Sequence, residues 1–306
     1  MRIRIRHTVA DTWRKIKKSY KFLCLRTVHR PCIMSAEATI KHINTYKCSI
    51  SRFGDGELDL VLNEYGLTFQ TNTPELSHRL KEVLTNYNDE KLLLCLPWCL
   101  TCLRYRKRKS KKFWIDWAIT NDRQRRIISI IRAAGGKKYV FGDTNITRQY
   151  IAMRNRSRGD KMFPMLKSLW ENRDILIVEG EQTRLGVGND LFENTRSISR
   201  ILAPAKDAFS CYDKILEEIC RVHQLNQLVI LALGPTATIL ASDLSKVGIQ
   251  ALDVGHIDIE YEWYLQNATD KVCIPGKYTN EAKGGDMVQK CDNPEYAKQI
   301  LQKICC

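Results

Sequence analysis

Short, unbroken apolar runs, each followed by enough chain to form a helix, constrain this sequence more than any other feature. The clearest are Leu92-Leu-Leu-Cys-Leu96, Ile175-Leu-Ile-Val178 and Leu228-Val-Ile-Leu-Ala-Leu233. A strand that is apolar on both faces must be covered on both faces, which is the signature of a parallel sheet between helix layers. Further strands are expected at 47–51, 138–142, 198–202 and 251–254. Helices are expected at 36–43, 75–87, 111–134, 162–170, 208–223 and 235–246. Strands alternating with helix-length connections require right-handed crossovers. The expectation is therefore a Rossmann-like α/β fold, a mostly parallel sheet flanked by helices, forming one catalytic domain over 36–290. A basic segment (1–35) would precede it and a C-terminal helix or tail (291–306) follow it. Ligands of such sheets lie outside the carboxyl ends of the strands.

Composition narrows the class. The 306 residues are 44% hydrophobic, ample for a core, and no apolar run approaches the roughly 18 residues that span a bilayer. The basic start, Met1-Arg-Ile-Arg-Ile-Arg6, is not followed by the apolar core of a signal peptide, so a cytoplasmic location is expected. The twelve cysteines lack the spacing of a secreted disulfide scaffold, and most are expected as reduced thiols. Cys95, Cys99 and Cys102 match the C-x3-C-x2-C spacing of a radical iron–sulfur site. Cys95 falls inside an apolar strand, however, and no barrel of repeated strand–helix units follows, so these read as core and loop cysteines.

The net charge is +15, concentrated in three places. Up to Arg30 there are ten Lys or Arg and one acid; Trp13, Ile16, Tyr20, Phe22 and Leu23 interleave with the charges. That pattern suits either an amphipathic helix at the anionic inner face of the plasma membrane or a solvated leader. The run from Arg104 to Lys112 could face anionic lipid, a polyanionic acceptor or nucleic acid, and Arg123, Arg125, Arg126 and Arg132 fit the wet face of a helix. Nucleic-acid binding through these runs is one alternative function, predicting steep salt dependence. It sits poorly with the acidic strand-end loops, which lie apart from the charge and would repel phosphate, so no nucleic acid is expected.

Those loops carry the chemistry. The first candidate strand runs into Arg52-Phe-Gly54-Asp55-Gly-Glu57, another into Gly142-Asp143-Thr144, and a third toward Gly186-Val-Gly188-Asn189-Asp190. The strand at 228–233 meets Gly234-Pro235-Thr236, whose open backbone N–H groups suit a phosphate, although an ordinary strand-to-helix turn reads the same way. The last strand meets Gly255-His256-Ile-Asp258-Ile-Glu260. Two Asp-x-Glu pairs point to a divalent cation, Mg²⁺ or Mn²⁺, holding a phosphorylated substrate. The competing readings are an Asp-Gly turn at Asp55 and, at Asp258 and Glu260, acids complementing the dipole of a helix start.

Collinear motifs from about residue 36 to 285 resemble the GT-D-type glycosyltransferases, first met as a bacterial domain of unknown function. They are Ser49-Ile-Ser-Arg-Phe-Gly-Asp-Gly-Glu57, Phe141-Gly-Asp-Thr144 with Arg148 and Tyr150, Thr183 to Phe192, Ile201 to Phe209, Leu233 to Leu240, and Gly255 to Trp263. The resemblance implies a nucleotide-sugar donor, UDP-linked in most cases, a divalent metal tied to an Asp-x-Glu motif, and a glycan, glycolipid or glycoprotein acceptor. The resemblance leaves open which pair holds the metal; Asp258 and Glu260 are the first choice because they follow the last strand and lie opposite the Gly234–Thr236 turn, and Asp55 and Glu57 are the second. Asp258, Glu260 and His256 are the catalytic candidates. Arg52, Gly54, Asp55, Glu57, Asp143, Arg148, Gly188, Asn189, Asp190, Gly234, Pro235 and Thr236 are expected around the donor. A phosphatase or nucleotidyltransferase using the same metal site is the remaining alternative.

Overall fold

The computed structural model describes residues 16, 20, 22–25, 27–289 and 291–305. Trp13 and most of the basic leader lie outside them. Nine strands form one sheet: β1 (Cys32–Ile33), β2 (Ser49–Arg52), β3 (Leu92–Leu96), β4 (Val140–Asp143), β5 (Asp174–Gly180), β6 (Ser197–Ala203), β7 (Leu228–Ala232), β8 (Ala251–Asp253) and β9 (Ile300–Lys303). Their spatial order is β1-β4-β3-β2-β8-β7-β5-β6-β9, and every pairing is parallel.

Strand alternation divides the core in two. Val229 and Leu231 of β7, with Leu94 of β3, pack beneath one helix layer: α2 (Asp55–Val61), α3 (Pro74–Leu84), α4 (Arg108–Ile119), α5 (Arg123–Ala133), α7 (Tyr212–Val222) and α8 (Pro235–Lys246). Leu228 and Ile230, with Ile50 and Leu252, face the other: α1 (Ala36–Tyr46), α6 (Arg158–Lys167) and α9 (Ile257–Leu265). Full burial of each such Leu or Ile contributes about 1.5–3 kcal/mol, so coverage of both faces supplies the main stabilisation. Local signals set the boundaries. Ser35 caps α1 by accepting from Ala38 N at 3.1 Å, and Pro74 and Pro235 occupy first-turn positions, where no backbone N–H is needed.

Three expectations are corrected. The continuous helix over 111–134 is two helices, because Asn121 and Asp122 take left-handed φ values of 49° and 52° and turn the chain between α4 and α5. The C-terminal segment is not only a helix or tail: after α10 (Pro294–Gln299) it adds β9 to the edge beside β6. The arginines of α5 are not only a wet face, since Arg123 is buried against Asp59 at 3.1 Å and Glu64 at 2.9 Å. Ten described cysteines carry free thiols; Cys95 and Cys99 are buried, and burial pushes the Cys95 thiol well up, as expected of core residues. Among the described residues, no helix is long and apolar enough to cross a membrane.

Candidate active site

From β2 the chain steps outward to β3 and then β4, whereas β8 arrives beside β2 from the opposite half of the sheet. The β2–β8 boundary is therefore a topological switch point, where an open parallel sheet leaves a crevice beyond its strand ends. A cleft of about 940 Å³ opens there, near the upper end for a small-molecule site.

Arg52 and Asp253, ending β2 and β8, brace its floor. The guanidinium of Arg52 donates from Nε to Asp253 O at 2.6 Å and from Nη1 to Thr147 Oγ1 at 2.6 Å; Nη2 meets Asp253 Oδ1 at 3.2 Å. Thr238 ties in α8, its hydroxyl donating toward Arg52 O at 3.0 Å. Gly255 is needed here, because its φ is +49° and a Cβ would overlap the Arg52 guanidinium. Arg52 thus borders the cleft with most of its donors already engaged in joining strand ends.

Asp55 and Glu57 begin α2 and line the cleft. Glu57 Oε2 accepts from Gly54 N at 2.9 Å, capping the helix. Burial, then the neighbouring Asp253 and Asp55, push the Glu57 carboxyl up to about 7; burial also raises Asp55 and Asp253, against the pull of Arg148 and Arg52 respectively. Three raised carboxyls in one wall form an electrostatic arrangement that a cation would relieve.

Asp258 and Glu260 both line the cleft from the first turn of α9, where their charges complement the helix dipole. Two residues apart on a helix, they turn to different sides. Asp258 accepts from Gly186 N at 3.0 Å and Asn189 Nδ2 at 2.8 Å and pairs with Lys277 Nζ at 2.7 Å. Lys277 also meets Glu262 at 2.8 Å. Glu260 Oε1 accepts from Tyr150 N at 2.8 Å and Ile151 N at 2.9 Å, while its Oε2 has no hydrogen-bond partner among the described residues. Burial raises both carboxyls, against Lys277 for Asp258 and Arg148 for Glu260. His256 lowers to about 4 through burial and the charge of Arg148, so it is neutral at neutral pH. Arg148 pairs with Glu281; burial works against the Glu281 charge, but Arg148 outweighs it and holds that carboxyl far below the usual range.

Of the expected donor residues, Arg52, Gly54, Asp55, Glu57, Arg148 and Gly234 reach the cleft together with His256, Asp258 and Glu260. Gly188, Asn189, Asp190, Asp143, Pro235 and Thr236 do not border it. Asn189 supports Asp258 from behind, and Asp190 bonds Lys167 at 2.7 Å and the Tyr261 hydroxyl at 2.7 Å. Asp143 accepts from Trp98 N and Asn145 N, organising its own loop. Sequence reasoning missed Asp253, Lys277, Asn280 and Glu281. The last three come from a loop beyond α9 whose one local sign was polar, glycine-containing chain. Among the described residues, no three His, Cys, Asp or Glu side chains are grouped so as to hold a metal ion by themselves. Asp55 with Glu57 beside it fits a cation whose remaining ligands are substrate phosphate and water, the usual mode for Mg²⁺.

The model for the glycosyltransferase GT-D fold matches residues 50–282. A probable glycosyl transferase, Gly, of Streptococcus gordonii is 36% identical over 272 residues, 89% of this chain and 39% of that protein. Glycosyltransferase GlyD of Streptococcus pneumoniae serotype 4 is 35% identical over 274 residues, 89% of this chain and 32% of that protein. The chain therefore spans 32–39% of the length of these two curated relatives. Among solved structures, a selenomethionine-substituted domain of unknown function 1792 has a TM-score of 0.85 at 35% identity, covering 93% of this chain and 99% of that one. A glycosyltransferase of the same domain type from Streptococcus sanguinis has a TM-score of 0.81 at 35% identity, covering 90% and 100%. With the matched region carrying every cleft residue placed above, this chain belongs to the GT-D-fold glycosyltransferase family.

Proposed function

We propose that the chain transfers a sugar from a nucleoside-diphosphate donor, UDP-linked, to a hydroxyl of a glycan, glycolipid or glycoprotein acceptor, with a divalent cation, Mn²⁺ or Mg²⁺. One observation carries the reading: a roomy cleft at the β2–β8 switch point is lined by Asp55 and Glu57, buried carboxyls that make no ion pair among the described residues. An anionic diphosphate enters such a wall only with a cation between them. A cation held by Asp55, with Glu57 beside it, would neutralise the diphosphate as the anomeric bond breaks.

The chain's own groups supply the rest. Arg52 and Asp253 hold the crevice floor rigid, and the bend at Gly234, with φ +54°, brings backbone to the cleft without a side chain. His256, uncharged at neutral pH, accepts the proton that the acceptor hydroxyl loses as its oxygen bonds to the anomeric carbon. The electron pair of the broken carbon–oxygen bond leaves with the diphosphate. A panel of nucleotide sugars with Mn²⁺, read as released UDP, tests this. UDP release accelerated by saccharide acceptors is expected. Inert UDP-sugars alongside rapid hydrolysis of phosphomonoesters or nucleoside triphosphates would instead identify a phosphatase or nucleotidyltransferase.

A further inference from the structure

The wall of the cleft contributed by residues 106–114, in the chain that follows β3, carries charge that the transfer step does not use. Residues 104–112 hold seven Lys or Arg and no acid. Arg106 is only 5% exposed, yet it lines the cleft, fixed by a bridge between its backbone and Met153. Among the described residues no carboxylate lies within ion-pair distance of it. The field of Asp143 reaches it from farther off, and its hydrogen-bond contact is the Cys99 thiol. A guanidinium offers five donors and the thiol takes only part of them, so the others are open to a ligand in the cleft that Arg106 lines.

A second observation meets the first. Helix α4 starts at Arg108 with no side-chain cap from Lys107 and no acid in its first turn. Its opening N–H groups are therefore unclaimed by any capping side chain, and the basic side chains crowd the positive end of the dipole, the reverse of a stabilising arrangement. Lys107, Lys109 and Ser110 of this turn line the cleft beside Arg106; Lys107 Nζ donates to Thr269 O at 3.0 Å and Lys109 makes an exposed 3.6 Å ion pair with Asp270, while Phe113 and Trp114 extend the same wall as an apolar strip. One anion would meet both the open donors of Arg106 and the uncapped helix start.

We propose that this wall of the cleft is a second anion subsite, separate from the donor crevice, and that it binds a phosphate ester carried on an apolar chain as part of the acceptor. Assigning the ligand to the acceptor rests on the transferase reading. The binding test does not, because it is read without turnover. Octyl phosphate is titrated calorimetrically into the whole chain, with inorganic phosphate and octyl glucoside as separate arms. Saturable binding of octyl phosphate is expected, weaker for inorganic phosphate and absent for octyl glucoside. Arg106→Gln should weaken it about tenfold or more, the scale of a charge-assisted hydrogen bond. Lys109→Glu, a change at a solvent-exposed side chain that spares the fold, should weaken it about threefold. Excess UDP with Mn²⁺ and Asp55→Asn should leave it unmoved. No saturable binding, or binding that is lost with UDP or Asp55→Asn but indifferent to Lys109→Glu, overturns the proposal. Inorganic phosphate binding as tightly as octyl phosphate overturns the ester assignment.

Discussion

The two Asp-x-Glu pairs are alike as sequence and opposite as structure. Both follow a parallel strand, both open a helix, and both reach the same cleft. In the later pair, Asp258 is closed off by Lys277, Asn189 and Gly186 N, and one oxygen of Glu260 takes two backbone N–H groups. These bonds pin the loops at 148–151, 186–189 and 277–281 around α9. In the earlier pair, Glu57 has its cap bond and Asp55 has Arg148 only as a charge at a distance, so their mutual repulsion stands. The motif is thus a latch where a lysine from another loop completes it and an open site where none does.

The largest expected effect breaks the latch. Asp258→Ala leaves Lys277 buried with only Glu262 and orphans the Asn189 amide, so urea unfolding should show a loss of about 3–5 kcal/mol. A loss below about 1 kcal/mol would mean that the pair is solvated and α9 is not its dependant. The opposite division is expected for Asp55→Asn. Removing a charge that burial already disfavours should leave stability unchanged or slightly raised. UDP release should fall about 100-fold, the worth of several kcal/mol of transition-state charge stabilisation. Full turnover in that variant together with loss in a folded Asp258→Asn would return the cation to the later pair.

The difference between the pairs explains what could be seen in the sequence. Strands such as β7 were legible because Leu228 to Ala232 is apolar on both faces, and a parallel sheet is the environment that demands this. The loops that end β2 and β8 were legible because strand-end glycine and acid are local signals. Asn121 and Asp122 also marked the break between α4 and α5, although the apolar periodicity on either side masked it. By contrast, β9 reads Ile300-Leu-Gln-Lys303, too short and polar to announce a strand, and its place is set by the free edge of β6. Lys277 is 19 residues from Asp258, in a loop without periodicity, so nothing local told the latch from the open pair. The register of tertiary contacts made that distinction.

The smallest effect is also the most direct reading of the open pair. Glu57 keeps its proton in the folded chain up to about pH 7, whereas its ordinary value is 4.5. Between those values the folded chain binds the extra proton, so raising the pH through this window favours unfolding, and the deficit is complete above about 7. A cation held beside Asp55 and Glu57, as proposed, would displace that proton and offset the repulsion, making its stabilisation pH-dependent. With Mn²⁺ well above its dissociation constant, the melting temperature should rise by about 2–5 °C at pH 8 and by much less at pH 5.5. Asp55→Asn should flatten both responses, and Glu57→Gln should remove their pH dependence. An Mn²⁺ shift of equal size at the two pH values would place the cation away from Glu57.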